Sequence, residues 1–360
     1  MKTAFLFPGQ GAQHVGMGKD LYDATAAGRA VFDRAEAVTG LPLKRVCFEG
    51  PQEELDRTDL CQPAIFTVSV AMLAHLDCFL GPAEVEALRP AFMAGLSLGE
   101  YTALYAADMI DFDDCLRLVA RRGAAMQAAA TAVPSGMVCI LGLEEAKAAE
   151  LAKASVNDGE VLACANFNCP GQIVLSGAAG ACRRAEEKAK DFGATGAVAL
   201  KVAGAFHSPI MKPAAQGLSE ALEAMSFRMP RGLPPRGGKA EMCEASWGQS
   251  SAAANTQVVS NVDARPYACN GCVKGGLLAQ LTSPVRWQQS MEFLLAQGVE
   301  RFYEIGPGRV LAGLMRRIDR KAKVVCVNTR QAVEELAQST PVEEGRLEPD
   351  KERAWQTKAR

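Results

Sequence analysis

Gly95-Leu-Ser-Leu-Gly99 is the segment that most narrows what this chain can become. It joins an apolar run, Pro90 to Gly95, to a helix-patterned run, Leu98 to Ala107. A serine flanked by glycines, between a strand and a helix, is the pattern of the nucleophile elbow. The turn brings the backbone so close to its neighbours that the flanking residues must be small. It also needs a strand feeding a helix, hence a sheet with helices packed on it. The hydroxyl then stands at a helix N-terminus, whose free N–H groups favour developing negative charge. Ser97 is the candidate nucleophile.

The rest of the chain fits an α/β fold. Thr3 to Phe7 reads as a buried strand running into a glycine-containing loop, Pro8-Gly-Gln-Gly11. Helical patterns follow over Asp20 to Val38 and Gln62 to Leu80, and strands alternating with helices predict a mostly parallel sheet covered on both faces. The rhythm changes in the middle. Strands are expected at 135–143, 160–167, 172–177 and 196–202, with helices at 144–155 and 178–192. That order, β-α-β-β-α-β, is the ferredoxin-like unit. The expected architecture is therefore a discontinuous large domain, 1–129 and 203–335, resembling the α/β-hydrolases, with a small ferredoxin-like domain, 130–202, inserted in it. Residues 231–255 are rich in Gly, Pro, Ser and Ala without a sustained period and read as a disordered insertion, or as unspliced intron translated into protein. Residues 336–360 read as a charged tail.

Composition excludes several classes. With 39 Lys+Arg against 41 Asp+Glu, the chain lacks the basic surplus of a general nucleic-acid binder. No apolar run is expected to reach the ~18 residues of a spanning helix, so no membrane insertion is expected. Twelve cysteines are scattered along the chain, several within apolar runs such as those around Cys139 and Cys326. There a thiol behaves as a small hydrophobe. The close pair in Cys269-Asn-Gly-Cys272 lacks a second pair at zinc-binding spacing, and neither a metal site nor a cofactor is expected. With no signal peptide in view, the expected compartment is the cytoplasm, or an organelle if a transit peptide is missing.

A serine needs a base. Three histidines exist. His75 lies in an apolar helical run and reads as a core or surface histidine. His14 follows the glycine loop and reads as solvated. His207 sits on a loop ahead of a helix, C-terminal to the serine, as in hydrolase-type elbows. No acidic residue stands out as a third member. Arg121 and Arg122 lie on one helical stretch, Cys115 to Gln127, where arginines are commonly surface residues.

Phe7-Pro-Gly-Gln-Gly-Ala-Gln13, Gly95-Leu-Ser-Leu-Gly-Glu-Tyr101, Arg122-Gly-x-x-Met-Gln127, Asn166-Phe-Asn168 with Pro170-Gly-Gln172, Phe206-His-Ser208, Ser283-Pro-Val285 and Glu304-x-Gly-Pro-Gly308 occur in this order. Together they resemble the malonyl-CoA:acyl carrier protein transacylases over about residues 2–330, with 231–255 excluded. The resemblance implies a ping-pong transfer of malonyl from malonyl-CoA to the phosphopantetheine thiol of acyl carrier protein, with release of CoA. It assigns Ser97 as nucleophile and His207 as base. It gives the oxyanion to the backbone N–H groups of Leu98 and Gln10, and the orientation of His207 to the backbone carbonyl of Gln280. It pairs Arg122 with the free malonyl carboxylate, which suits the planar guanidinium fork. Phe206 resembles the malonyl-selective form of its motif, where methylmalonyl-selective relatives carry Ser.

Two departures stand out: Leu96 where the family often has His, and the segment 231–255. Alternative readings are a serine esterase or thioesterase sharing the elbow, a transacylase for another acyl-CoA, and a non-catalytic carrier-protein-binding module. A buried Arg122 separates the first from the malonyl transferase, because a hydrolase of neutral esters has no use for it. A monomer is the default expectation.

Overall fold

The computed structural model of the chain describes residues 1–80, 88–228 and 256–339. Its strands are β1 (Thr3–Phe7), β2 (Phe92–Gly95), β3 (Ser135–Leu141), β4 (Leu162–Cys169), β5 (Gln172–Ala178), β6 (Gly196–Ala199), β7 (Gln257–Val259), β8 (Arg301–Ile305) and β9 (Lys323–Val327). They form two sheets.

The first sheet has the order β7-β2-β1-β8-β9, and every pairing in it is parallel. Side chains alternate across it, as strand geometry requires. Phe5, Phe7 and Met93 enter one core with the helices Ala26–Thr39, Thr58–Phe79 and Phe112–Ala132. Ala4, Leu6, Phe92 and Ala94 enter the other core with Trp287 and Met291 of the helix Trp287–Ala296 and Leu311 of the helix Val310–Ile318. Covered on both faces, β1 and β2 are buried at every position.

The apolar run expected over Gln62 to Leu80 is a 22-residue helix, Thr58–Phe79. Contrary to expectation, it is by length and composition apolar enough to cross a bilayer. Its most apolar window is 94 % buried inside the protein, which makes it the central core helix of the sheet.

The second sheet is antiparallel, in the order β4-β5-β3-β6. With the helices Glu145–Ala154 and Ala179–Lys188 packed on one face, it is the expected ferredoxin-like βαββαβ unit. Its edge strand is stitched to the rest of the chain: Phe167 N–H donates to Val285 O (2.9 Å) and Val285 N–H to Ala165 O (2.8 Å). The fold is thus α/β, a parallel sheet of the α/β-hydrolase kind joined to a small ferredoxin-like unit.

Some elements differ from expectation. The helix Asn270–Gln280 is masked in the sequence by Gly271, Gly275 and Gly276 in its early turns. Cys269 caps it, and Cys269 and Cys272, one helical turn apart, form a disulfide that the scattered cysteines did not lead one to expect. The chain also stays packed beyond 335, because the helix Arg330–Ser339 buries Val333 and Leu336. The segment 231–255 and the tail from 340 onward lie outside the described residues.

Candidate active site

The parallel register sets Phe7 opposite Gly95, so the loop after β1 and the elbow after β2 leave the sheet side by side at its carboxyl edge. Open α/β sheets bind ligands at that edge. The elbow is as tight as its glycines suggest. A Cβ on Gly95 would lie 1.8 Å from the Gly99 carbonyl carbon, and one on Gly99 would lie 2.1 Å from Phe7 O. Ser97 itself has φ 53°, a left-handed conformation costly for a side chain with a Cβ. Asn261, just beyond β7, holds it there. Its Oδ1 accepts from Ser97 N–H (2.7 Å) and its Nδ2 donates to Gly95 O (2.7 Å).

His207 arrives from the other side, on the loop that follows the small sheet. Ser176 Oγ donates to Phe206 O (2.6 Å) and Ser208 Oγ to Ala205 O (2.7 Å), which clamp the loop on either side of the imidazole. His207 is left-handed too, with φ 57°. Its Nε2 lies 2.8 Å from Ser97 Oγ and its Nδ1 lies 2.7 Å from Gln280 O. A carbonyl can only accept, so Nδ1 carries the proton and Nε2 presents its lone pair to the serine hydroxyl.

Arg122 completes the cluster from the helix Phe112–Ala132. It is 0 % exposed. Nη1 donates to Gln62 Oε1 (2.6 Å), and Nη2 donates to both Gln280 Oε1 (2.8 Å) and Ser97 Oγ (3.0 Å). The Tyr101 ring centroid lies 5.3 Å from the guanidinium. Arg122 Nε has no hydrogen-bond partner. Among the described residues, Arg122 has no carboxylate within ion-pair distance. Arg121, one residue earlier, points outward toward Glu220 (3.9 Å).

Known proteins share this arrangement's sequence and fold. A family model described as the acyl transferase domain matches residues 4–235. The malonyl CoA-acyl carrier protein transacylase of Bacillus subtilis is 39% identical over 343 residues, covering 95% of this chain and 98% of the relative. The enzyme of that name from Escherichia coli is 38% identical over 315 residues, covering 88% and 92%. The chain belongs to the malonyl-CoA:acyl carrier protein transacylase family. Among solved structures, the family member from Coxiella burnetii aligns with TM-score 0.82 at 33% identity, covering 94% of this chain and 98% of that one. A malonyl-transacylase in complex with a type II PKS acyl-carrier protein aligns with TM-score 0.81 at 36% identity, covering 94% and 99%.

The other residues that the family resemblance singled out lie around the same point. Leu98 follows the serine at the start of the helix Gly99–Ala106, and Gln10 lies on the adjacent loop, its side chain 3.4 Å from Thr58 Oγ1. Phe206 is buried beside the histidine. Leu96, where the transacylase family often carries His, packs against the second core. His75 and His14 lie elsewhere. His75 is buried against the Phe79 ring and 3.6 Å from Glu334, and His14 is exposed.

Burial and the neighbouring Arg122 charge hold the His207 imidazole well below its ordinary 6.5, at about 4, against the pull of the Gln280 carbonyl. It is therefore neutral at pH 7 and free to accept a proton. Burial also lowers Arg122, but a guanidinium stays charged. Sequence reasoning missed four contributors: Asn261, Gln62, Glu100 and Tyr267. Glu100 is buried, and Tyr267 donates its hydroxyl to it. Its place inside the Gly95 to Tyr101 motif was the only available signal.

Proposed function

We propose that this chain is an acyl-carrier-protein S-malonyltransferase, moving malonyl from malonyl-CoA to the phosphopantetheine thiol of acyl carrier protein for fatty-acid or polyketide elongation. Arg122 carries this reading. A charge taken out of water is costly unless paired. Here a wholly buried guanidinium, 3.0 Å from Ser97 Oγ, has an unsatisfied Nε and no carboxylate partner among the described residues. A substrate bearing its own carboxylate, with its acyl carbon at Ser97, supplies that partner. The relative solved with its acyl-carrier protein supports the same partner here.

In this reading Ser97 Oγ attacks the thioester carbonyl carbon while His207 Nε2 takes the hydroxyl proton. The N–H groups of Leu98 and Gln10 hold the oxyanion. The C–S bond breaks, CoA leaves with the proton from His207, and a malonyl-serine ester remains. The carrier's thiol then attacks that ester, giving its proton to His207, which passes it to Ser97 Oγ as the serine departs. Gln280 O keeps the imidazole in the required tautomer throughout, the task an acidic third member performs elsewhere. Phe206 is the proposed neighbour of the acyl chain. The two sheets support a division into a large unit, 1–129 and 203–335, and a small one, 130–202, with the acyl group between them.

Intact-mass measurement after mixing with malonyl-CoA tests the proposal. The expected result is a gain of one malonyl group on Ser97, discharged by holo carrier protein and absent in Ser97→Ala. Hydrolysis of malonyl-CoA and of neutral esters alike, with no carrier-dependent discharge, would favour the esterase reading instead.

A further inference from the structure

Beneath the elbow lies a carboxylate that this reaction never touches. Glu100 is 0 % exposed, on the first turn of the helix Gly99–Ala106. Its Oε2 accepts from Gln280 Nε2 (2.6 Å) and from Asn261 N–H (3.3 Å), and its Oε1 accepts from the Tyr267 hydroxyl. The site's cation, Arg122, stands on the far side of the Gln280 amide. Gln280 Oε1 takes Arg122 Nη2 at 2.8 Å, while Gln280 Nε2 also donates to Ser97 O at 3.0 Å.

An amide has one accepting and one donating end, a guanidinium only donates, and an ionised carboxylate only accepts. Between Arg122 and an ionised Glu100, the Gln280 amide has one permitted orientation. Reversed, it would set its NH₂ against the guanidinium and its oxygen against the carboxylate. We propose that Glu100 is a positioning residue for acyl selectivity, orienting the Gln280 amide so that Arg122 is held against Ser97 and ready for the substrate's carboxylate. The proposal rests on the reading of Arg122 as that carboxylate's partner.

Burial raises Glu100 to about 7, opposed by its bonds from Tyr267, Gln280 and Asn261 and by the Arg122 charge. Among the described residues, the ionisable groups around it are Tyr267, Tyr101 and Arg122, with His207 beyond Gln280. Once protonated, Glu100 can donate as well as accept, and its share of the hold weakens, leaving Arg122, Ser97 O and Asn261 Oδ1 (3.3 Å from Gln280 Nε2) to orient the amide.

The test compares malonyl-CoA with acetyl-CoA, which lacks the carboxylate, as the ratio of kcat/KM values. His207 serves both substrates, so its titration cancels. In Glu100→Gln, nearly isosteric but able to face either amide end, the ratio should fall about tenfold or more, the scale of one charge-assisted hydrogen bond. The acetyl value should fall by less than the malonyl value, because acetyl has no carboxylate for Arg122 to meet. In the unmodified enzyme the ratio should rise between about pH 6 and 8, and Glu100→Gln should flatten that rise. The pH series needs no variant, so it decides the matter even if Glu100→Gln fails to fold. A flat ratio in the unmodified enzyme, or an equal loss for both substrates in Glu100→Gln, overturns the proposal. Arg122→Ala separates the two readings: if it leaves the ratio intact, the role of Arg122 fails; if it collapses the ratio while Glu100→Gln does not, only the role of Glu100 fails.

Discussion

Ser97 and His207 meet at 2.8 Å from two left-handed backbone positions, φ 53° and φ 57°. Neither is a glycine, so both sides of the contact carry strain that the surrounding bonds must offset. Ser97→Gly should therefore be more stable than Ser97→Ala, by about 1 kcal/mol, although both lose acylation. Urea unfolding of the pair measures this. Equal midpoints would mean that the elbow is not strained.

Arg122 is bonded through both Nη atoms, to Gln62, Gln280 and Ser97. A lysine has three donors, but on one compact nitrogen, which cannot stand in for two Nη atoms held apart by a planar guanidinium. Arg122→Lys should keep the charge and still lose about 10- to 100-fold in kcat/KM for malonyl-CoA, the scale of a charge-assisted bond or two. Arg122→Ala should lose more, while acetyl transfer survives. Steady-state kinetics with the two thioesters decide it, and wild-type malonyl kinetics in Arg122→Lys would rule the fork geometry out.

The base should change with substrate bound. Arg122 is one of the two causes that hold His207 at about 4 in the free protein. A malonyl carboxylate paired with Arg122 cancels part of that push, so His207 becomes more basic in the complex. The acid limb of serine acylation at saturating malonyl-CoA should lie at higher pH than the limb of kcat/KM. Rapid-quench acylation across the pH range measures both, and limbs that superimpose would uncouple Arg122 from His207.

Two groups of the site should contribute opposed slopes to the dependence of stability on pH. The folded His207 is depressed from 6.5 to about 4, so its contribution is complete above 6.5 and is lost as pH falls toward 4. The folded Glu100 is raised from 4.5 to about 7, so its contribution is complete below 4.5 and is lost as pH rises toward 7. The two slopes oppose each other, each worth up to about 3 kcal/mol at about 1.4 kcal/mol per pH unit. Glu100→Gln should leave the His207 slope alone, with stability rising from about pH 5 to 6.5, and His207→Ala should leave the falling one. Urea midpoints at several pH values test this, and parallel profiles in all three proteins would contradict it.

The parts of the site with local demands were legible in the sequence. The elbow announces Ser97 because its backbone tolerates only small flanks, and three histidines left few candidates for a base. Arg122 became distinct from Arg121 only through the family motif, since helical pattern alone does not say which of two adjacent arginines turns inward. The network beneath the serine was not legible, because its partners meet only in three dimensions. Tyr267 and Glu100 are 167 residues apart, and Asn261 and Ser97 are 164 apart. Gln280 was expected to act with its carbonyl alone. Its side-chain task was hidden because its helix opens on a glycine-rich turn that weakens the helical pattern. The small unit was easier to read, since its strands and helices follow one another with clear turns between them.

The bond pair between β4 and Val285 ties the small sheet to the residues that orient the base. Val285 lies five residues beyond Gln280, whose carbonyl holds His207 Nδ1. One short stretch of backbone, 280–285, therefore both anchors the imidazole and carries the edge of the small sheet.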